Sequence, residues 1–396
     1  MDSIRVGVFG AWRGLAYIRV IHTMEDAEVT AILEKDPEKC EKARAYCGPD
    51  VKLCKDFDEL LASGIQAVIL ANYFPEHAAY AIRAMKAGVD VFSECLPAVT
   101  MRECVELVET AEKTGRIYAL AENCVYFRAA QEIERVYRSG ILGKVVYAEG
   151  EYTHPMSVEQ TEYYSPESRH WRKYLPMTYY LTHSMAPLMA ATDLMPRKVI
   201  GKVAAGWEYA RERNMQNADG AGILLVEMEG GALFRISGCS HFGRYGLWYR
   251  IGCDKGEIEN LRGSNDEVRV AVSDWNLTDN MASGVTVYAP RPDELAEKAK
   301  AFSHGGADYR VTHAFIQDLR NGRKPYMDVY RSAALSATAI LGWRSVLEGS
   351  RQIEIPDFRD PAAREKYRTD ERSPFWSGDT PPDLPCSIHS GVQSTE

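Results

Sequence analysis

The stretch Ile4-Arg5-Val6-Gly7-Val8-Phe9-Gly10-Ala11-Trp12-Arg13-Gly14 opens the chain and decides how its first part folds. A run rich in β-branched residues meets a glycine turn, and a helix-compatible segment follows over 15–24. Such a turn presents the N–H groups of a helix start to a pyrophosphate. The pattern departs from G-x-G-x-x-G, because Trp12 stands where the second glycine would be. The turn therefore predicts a cofactor site that includes Gly10, Trp12, Arg13 and Gly14, although glycine turns also occur in α/β proteins without cofactors.

Length and composition bound the class of protein. The 396 residues, 45% hydrophobic and 26% charged, predict a globular protein of two domains. A net charge of −9 argues against non-specific nucleic-acid binding, and no apolar run is long enough for a membrane span. Because the chain enters a strand without the basic and apolar regions of a signal peptide, we expect it to be cytoplasmic.

The nine cysteines have no framework spacing and contain no C-x-x-C pair, which predicts reduced thiols rather than disulfides or a zinc site. His183, His241 and His304 could in principle bind a metal, but nothing in their spacing favours one. No metal is therefore predicted.

Apolar strands alternate with amphipathic helices up to about Gly150. This rhythm predicts a doubly wound parallel sheet, a Rossmann fold, whose strands end at one ligand-binding edge. Glu34 ends the second strand, where a carboxylate can accept the ribose hydroxyls of NAD and would repel the 2′-phosphate of NADP. Lys35 beside it leaves NADP open. We expect the NAD-binding domain to span 1–125.

The pattern changes after about residue 140 to strands joined by hairpin turns, with helices near the end. It predicts a second α/β domain over 126–374 with an open, mainly antiparallel sheet, one face covered by helices. The other face is either solvated or paired with another subunit, so a homo-oligomer (dimer or tetramer) is expected. The segment 375–396, rich in Ser, Pro, Gly and Asp, is expected to be loosely ordered.

Four polar clusters are candidates for chemistry: 93–97, 122–126, 170–172 leading into 179–187, and 304–308. In the first two, Glu94 and Glu122 follow strands of the parallel sheet. In the third, Tyr180 and His183 stand three residues apart, so on a helix they would share one face and could address one substrate hydroxyl. A Tyr and a His packed in a domain interface is the alternative.

Several motifs resemble the Gfo/Idh/MocA oxidoreductases. Ala71-Asn72-Tyr73-Phe74-Pro75-Glu76-His77 is similar to the A-T-P-N-x-x-H stretch of that family, which lies beside the cofactor, and Asn321-Gly322-Arg323 resembles part of its C-terminal pattern. Dehydrogenases of the family carry E-K-P with a proton-transferring lysine, whereas this chain has Glu94-Cys95-Leu96. They also carry D-x-x-x-H, and here Tyr179 replaces the aspartate while His183 matches.

The pattern is closer to the branch with NAD-dependent α-N-acetylgalactosaminidase-type glycosidases. Its Y-P-T-H-G-x-G-P, E-N-x-x-Y and G-H-G-G-x-D motifs resemble the residues at 180–187, 122–126 and 303–308. The resemblance implies cofactor contacts from Asn72, His77, Asn123, Trp171 and Arg172. It also implies catalytic roles for Tyr180 and His183 at the C3 hydroxyl or C2 proton, for Tyr126 near the leaving group, and for Glu94 at the nicotinamide ribose or the substrate.

The implied reaction is oxidation of a sugar at C3, elimination across C1 and C2, hydration, and return of the hydride. Two alternatives stay open: a simple NAD(P)-dependent sugar or polyol dehydrogenase, and a non-catalytic sugar or nucleotide sensor. In each case the partner is a small molecule, with no nucleic acid and no membrane. The sequence leaves the sugar, anomer and aglycone undetermined.

Overall fold

The computed structural model describes residues 3–264, 266–277 and 284–389. Their contacts divide them into two compact units. The first unit contains the described residues of Met1–Phe127, Pro292–Ala333 and Glu365–Thr369. The second contains those of Arg128–Arg291, Ala334–Arg364 and Asp370–Glu396. The first change of unit lies two residues beyond the predicted boundary at 125, but the return of 292–333 to the first unit was not predicted.

The first unit is built on a six-stranded, wholly parallel sheet in the order β3-β2-β1-β4-β5-β6. The strands are β1 (Ile4–Phe9), β2 (Ala27–Leu33), β3 (Lys52–Cys54), β4 (Ala67–Leu70), β5 (Asp90–Ser93) and β6 (Tyr118–Leu120). The helices before residue 128 are α1 (Ala11–Ile21), α2 (Pro37–Arg44), α3 (Phe57–Leu61), α4 (His77–Lys86) and α5 (Met101–Thr114). This strand order is that of a Rossmann fold, so the predicted fold class is confirmed.

Side-chain caps mark the starts of three helices that cover this sheet. The Asp36 carboxylate accepts N–H groups at the start of α2, and the Asp56 carboxylate does the same for α3. Thr100 and Glu103 form a reciprocal capping box at the start of α5. Each cap satisfies N–H groups that the first helical turn leaves without partners.

The second unit carries a nine-stranded sheet in the order β14-β13-β12-β11-β7-β10-β9-β8-β15. Its strands are β7 (Val145–Thr153), β8 (Pro196–Ala205), β9 (Asp219–Met228), β10 (Leu233–Ser240), β11 (Gly246–Cys253), β12 (Gly256–Asn260), β13 (Val268–Val272), β14 (Val285–Tyr288) and β15 (Ile353–Glu354). The helices from residue 128 onward are α6 (Arg128–Arg138), α7 (Val158–Tyr164), α8 (Thr182–Thr192), α9 (Trp207–Glu212), α10 (Ala296–Ala299), α11 (Ala307–Asn321), α12 (Val329–Leu347) and α13 (Pro361–Glu365). Helices α10 and α11 belong to the first unit, and the division at 333 falls within α12.

The sheet of the second unit is mainly antiparallel, as predicted, with one parallel pair, β7 and β10. Asp-Lys-Gly at 254–256 predicts the hairpin turn that joins β11 to β12, but β12 itself was not predicted as a strand. Helical periodicity over 292–302 predicts a longer helix than the observed Ala296–Ala299. Pro292 stands before this short helix rather than in it.

The returning helix α11 completes the core of the first unit. Val311, Phe315 and Ile316 are buried with the apolar residues of β1, β2 and α1. The Phe315 ring stacks on Phe92 of β5 at 4.7 Å between centroids. A packed aromatic pair of this kind contributes about 1 kcal/mol beyond its area burial.

The described part of the tail packs against the second unit, which differs from the expected loose order. The Trp343 indole N–H donates to the Pro385 carbonyl at 2.8 Å, and Ser387 donates to the buried Asp219 carboxylate at 2.8 Å. Phe375 and Cys386 are buried. The polar composition of this segment did not indicate that Phe375 and Cys386 would be buried. Within the described residues, no helix has the length and hydropathy to cross a membrane.

Candidate active site

The glycine turn after β1 brings backbone against backbone at the carboxyl edge of the parallel sheet. Gly10 has φ +90°, and a Cβ there would lie 2.5 Å from the Ala71 carbonyl oxygen, which follows β4. A Cβ at Gly14 would lie 2.7 Å from a side-chain carbon of Val8. Strands β1 and β4 are where the strand order reverses, and ligands of such sheets bind in that crevice. The predicted turn therefore lies at the ligand edge.

Glu34 lies beside this turn. One carboxylate oxygen accepts the Ala11 N–H at 2.6 Å, and the other accepts the Asp36 N–H at 2.9 Å. The carboxylate at the end of β2 is thus held against the start of α1, within the crevice where an adenosine ribose is bound in folds of this type. Trp12, in the first turn of α1, is 44% exposed.

Asn72 and His77 connect the loops that follow β4 and β5. The two His77 ring nitrogens lie 3.1 Å from the carbonyl oxygens of Asn72 and Leu96. Burial lowers the pKa of His77, and these two carbonyl contacts oppose that shift. His77 is fully buried, so its role in the first unit is to brace two loops. Among the described residues the Asn72 side-chain oxygen, itself buried, has no hydrogen-bond partner.

Arg13 and Glu94 form an ion pair at the same edge. The Arg13 Nε donates to Glu94 Oε1 at 2.5 Å, and the Tyr17 hydroxyl donates to that oxygen as well. The other Glu94 oxygen accepts the Cys95 N–H at 3.0 Å. Burial raises the pKa of Tyr17 well above its ordinary value, so the phenol stays protonated as a donor. Glu94 is therefore held by three donors.

Asp308 completes this cluster from the start of α11. Its oxygens accept from both terminal nitrogens of Arg13 and from the Asn123 amide, each at 2.9 Å. Ser303 and His304 donate to the same carboxylate at 2.6 and 2.9 Å. Burial acts to raise the pKa of Asp308, but the hydrogen bonds from His304 and Arg13 outweigh it and hold that pKa well below its usual range. Tyr17, which contacts both Arg13 and Glu94, was not predicted as part of this cluster.

Cys95 stands where the similar dehydrogenases carry lysine. Its thiol donates to a Glu122 carboxylate oxygen at 3.3 Å, and the other Glu122 oxygen accepts the Cys124 N–H at 3.1 Å. Both Cys95 and Glu122 are buried. The first unit therefore places a thiol and a carboxylate at this position and no ammonium group. Tyr126, two residues beyond Cys124, packs its ring against the core of the first unit.

These features fit a dinucleotide. Gly10 leaves room that any Cβ would fill, and as the N-cap of α1 it has no side chain to bond the first N–H groups of the helix, of which the Ala11 N–H is bound by Glu34. A pyrophosphate is the anion that such a helix start accepts. The Glu34 carboxylate is a hydrogen-bond acceptor, and ribose hydroxyls are hydrogen-bond donors that it could bind.

In the second unit, polar side chains gather at the carboxyl edge of the parallel pair β7 and β10. Gly150 of β7 lies under α8, where a Cβ would stand 1.9 Å from the Ser184 carbonyl oxygen. Gly238 of β10 lies under the preceding loop, where a Cβ would stand 1.8 Å from the Met177 carbonyl oxygen. Two glycines on neighbouring strands thus let residues 177–184 lie directly on the sheet.

The result is a cluster of phenol and imidazole rings around Tyr152. Its ring centroid lies 4.9 Å from His183 and 5.8 Å from Tyr180, and the last two rings lie 5.1 Å apart. His154 and Tyr245 border the same ring at 5.5 and 6.3 Å. Tyr152, His154 and Tyr245 were not predicted as site residues, although the sequence predicts a strand over 144–152 and the stretch 150–154 resembles the glycosidase branch.

Tyr180 and His183 meet for a reason other than the predicted one. Helix α8 begins at Thr182, so Tyr180 lies before the helix and the pair does not share a helical face. The expectation of an i, i+3 pair on one helix is wrong in this respect. The two rings meet edge to face because Gly150 and Gly238 draw the loop onto the sheet. The Tyr249 hydroxyl donates to the His183 carbonyl oxygen at 2.6 Å and holds that turn in place.

Trp171 and Arg172 form the short 3-10 helix Trp171–Tyr174, capped by His170. The Arg172 guanidinium lies 4.3 Å from the Trp171 ring and 5.9 Å from the Tyr164 ring. His170 Nδ1 accepts the Arg172 N–H at 3.2 Å, and burial lowers the pKa of His170 to about 4. The imidazole is therefore neutral at pH 7 and serves as the acceptor that caps this helix.

Comparison with known protein families matches two parts of the chain. Residues 4–122 match the profile of the oxidoreductase family with an NAD-binding Rossmann fold. Residues 276–365 match the profile of the glycosyl hydrolase 109 C-terminal domain.

Relatives and solved structures agree with these matches. The chain is 26% identical over 394 residues to a glycosyl hydrolase family 109 protein of Saccharopolyspora erythraea, covering 90% of this chain and 83% of the relative. It is 25% identical over 399 residues to an α-N-acetylgalactosaminidase of Shewanella oneidensis, covering 90% and 85%. A levoglucosan dehydrogenase solved with NADH and levoglucosan has a TM-score of 0.72 at 15% identity, covering 90% of this chain and 100% of that one. The last likeness shows the fold alone.

Proposed function

We propose that this enzyme cleaves glycosides with NAD as cofactor through oxidation at C3. Its residues 4–122 match the NAD-binding Rossmann domain of the Gfo/Idh/MocA oxidoreductases, and its residues 276–365 match the glycosyl hydrolase 109 C-terminal domain. The name of the Shewanella oneidensis relative suggests α-N-acetylgalactosaminides as the first substrates to test. Glu34 favours NAD over NADP, since its carboxylate would repel a 2′-phosphate.

Bound NAD would supply reversible hydride transfer at C3 of the sugar. A ketone at C3 acidifies the C2 proton, so that a base can remove it and the C1 substituent departs by elimination. Water then adds at C1, and reduction at C3 restores the sugar. The net change is hydrolysis of one glycosidic bond. A pair of carboxylates is not needed for this route.

The ring cluster of the second unit is the observation that carries the proposal. Each cleavage needs a proton moved at the C3 hydroxyl and another at C2, and a phenol and an imidazole can do both. Tyr152, Tyr180 and His183 supply these groups within 4.9–5.8 Å of one another. We assign the hydroxyl and C2 proton transfers to this cluster, with Tyr126 retained as a candidate acid near the leaving group.

In the first unit, Cys95 and Glu122 also favour the glycosidase over a simple dehydrogenase. A dehydrogenase that relies on lysine would need an ammonium group after β5, and this chain has a buried thiol bonded to a carboxylate there. Proton transfer must then come from other residues. The dehydrogenase remains the second candidate, with the ring cluster replacing the lysine.

The test is to purify the full-length protein, identify any dinucleotide it releases, and offer aryl α-N-acetylgalactosaminides and related aryl glycosides in D2O. Cleavage with deuterium incorporated at C2 and no net NADH would support the proposal. NADH formed in proportion to substrate, without cleavage, would favour the dehydrogenase. Binding of a sugar with neither reaction would favour the sensor.

Variants of the cluster complete this experiment. Tyr180→Phe keeps the ring and removes the hydroxyl, and His183→Asn replaces the imidazole with a polar amide that does not titrate, so turnover should fall about a hundredfold or more. Tyr163→Phe is the matched control, because Tyr163 is 68% exposed and the centroid of its ring lies 5.2 Å from that of Tyr164. Unchanged turnover in both cluster variants would contradict the assignment.

We also propose that the open face of the second sheet pairs with a second copy of the chain. Ile223, Leu225 and Leu233 are about 40% exposed on neighbouring strands of that face. Beside them Glu149 binds Arg235 and Arg250, an ion-pair row that crosses the sheet. Replacing Leu225 with Asp should lower the mass measured by light scattering. A wild-type protein that is monomeric at micromolar concentration would refute this proposal.

A further inference from the structure

Three charged or polar side chains around Arg13 engage four of the five N–H donors of its guanidinium. Nε binds Glu94, one terminal nitrogen binds Asp308, and the other binds both Asp308 and Tyr17. The fork meets Asp308 through both carboxylate oxygens, the bidentate arrangement that is strongest for arginine. Asp308 is fully buried and Arg13 is only 24% exposed at its side chain. The sequence predicts Arg13 as a direct cofactor ligand, yet in the structure four of its five N–H donors bind side chains of the first unit.

The cluster joins segments that are far apart in the chain but end at one edge of the parallel sheet. Arg13 lies in the first turn of α1, Glu94 follows β5, and Asn123 follows β6. Asp308 comes from the segment that returns after the second unit, 295 residues beyond Arg13. It accepts five hydrogen bonds and contacts two of those three segments directly. Asp308 is linked to Glu94 through Arg13, which binds both carboxylates.

We propose that Asp308 is a positioning residue for the cofactor turn: it orients Arg13, and through Arg13 it holds Glu94 and the first turn of α1 in place. The inference rests on the proposed NAD binding. It makes the returning segment 303–308 part of the cofactor mount, although that segment lies outside the Rossmann stretch of the sequence. Lysine cannot replace Arg13, because an ammonium group is a point charge and cannot bind the two carboxylates as a fork.

The two roles of Arg13 predict opposite signs for one variant. If Arg13 binds the pyrophosphate directly, removing the Asp308 charge frees a cation and NAD+ binds more tightly. If Asp308 positions Arg13, Asp308→Asn weakens NAD+ binding by about tenfold or more, since coupled neighbours interact at that level. Calorimetric titration of the nucleotide-free full-length protein with NAD+ measures this directly.

The matched control is Asp293→Asn. Asp293 and Arg310 form another bidentate ion pair of the first unit, and Arg310 lies on α11 like Asp308. Losing that pair should lower thermal stability while leaving the NAD+ dissociation constant within about twofold of wild type. A purely structural effect of losing a bidentate ion pair to arginine would appear in both variants.

A double-variant cycle tests the path through Arg13. Once Arg13→Gln has removed the guanidinium, adding Asp308→Asn should change the dissociation constant little further, whereas independent effects would multiply. Arg13→Lys should weaken NAD+ binding as much as Arg13→Gln does. If Asp308→Asn does not fold, Arg13→Lys is the variant that tests the inference. Tighter binding in Asp308→Asn, equal binding in Asp308→Asn and Asp293→Asn, or wild-type binding in Arg13→Lys would each overturn the inference. Wild-type protein that binds no NAD+ would refute the cofactor assignment and this inference with it.

Discussion

Acid should destabilise the second unit through one buried histidine, His170. Its residue is 4% exposed, and its Nδ1 accepts the Arg172 N–H as the cap of the 3-10 helix Trp171–Tyr174. Burial, followed by the positive charges of Arg172 and Lys173, lowers the pKa of His170 from 6.5 to about 4. A proton on Nδ1 would also remove the acceptor on which the cap depends.

The magnitude follows from the distance between these two pKa values. Below pH 6.5 the unfolded chain binds a proton at His170, and the folded chain does so only near pH 4. The contribution to stability is therefore complete above pH 6.5 and is lost as the pH falls from 6.5 to 4. At about 1.4 kcal/mol per pKa unit, the full loss is about 3 kcal/mol.

Two variants isolate this effect in urea unfolding followed by circular dichroism between about pH 7 and about pH 4.5. His170→Asn keeps a capping acceptor and removes the titration, and His170→Ala removes both. At neutral pH the alanine variant should be about 1 kcal/mol less stable than the asparagine variant. As the pH falls over this range, the free energy of unfolding of the wild type should decrease by about 2 kcal/mol or more relative to that of His170→Asn.

A difference that stays constant from neutral to acid pH would refute this reasoning. The pH dependence of the second unit would then come from other groups. Because the other titrating groups are shared by wild type and variant, they cancel in the difference. Equal stability of His170→Asn and His170→Ala at neutral pH would refute the capping role separately.

Three further outcomes are expected. Gly10→Ala should abolish NAD+ binding, because its Cβ would lie 2.5 Å from the Ala71 carbonyl oxygen, whereas Gly64→Ala, with a similar φ of +82° and open space, should retain binding in the same calorimetric titration. Gly150→Ala should push α8 off β7 and cut glycosidase turnover without loss of NAD+ binding, which activity assays and titration together would check. Glu34→Gln should reduce the preference for NAD+ over NADP+ by about tenfold, as measured from the two dissociation constants; an unchanged ratio would remove Glu34 from ribose recognition.

The first unit was largely predictable from local patterns. Apolar runs bounded by turns specify the strands of a parallel sheet, and Asp36, Asp56 and Thr100 mark helix starts by chemistry that acts within one turn. The glycine turn and Glu34 were recognisable because both act within a single βαβ unit. The family resemblance also came from short motifs, and the matches at 4–122 and 276–365 agree with it.

The sequence by itself determined the fold class, the cofactor turn and the residue types available for proton transfer, because periodicity and turn chemistry are local properties. Only the tertiary structure decided which of those residues act together. Asp308 reaches Arg13 across 295 positions, and Tyr152 meets His183 because Gly150 admits α8 onto β7. Such contacts depend on how elements pack over long separations, and no spacing in the chain encodes them locally.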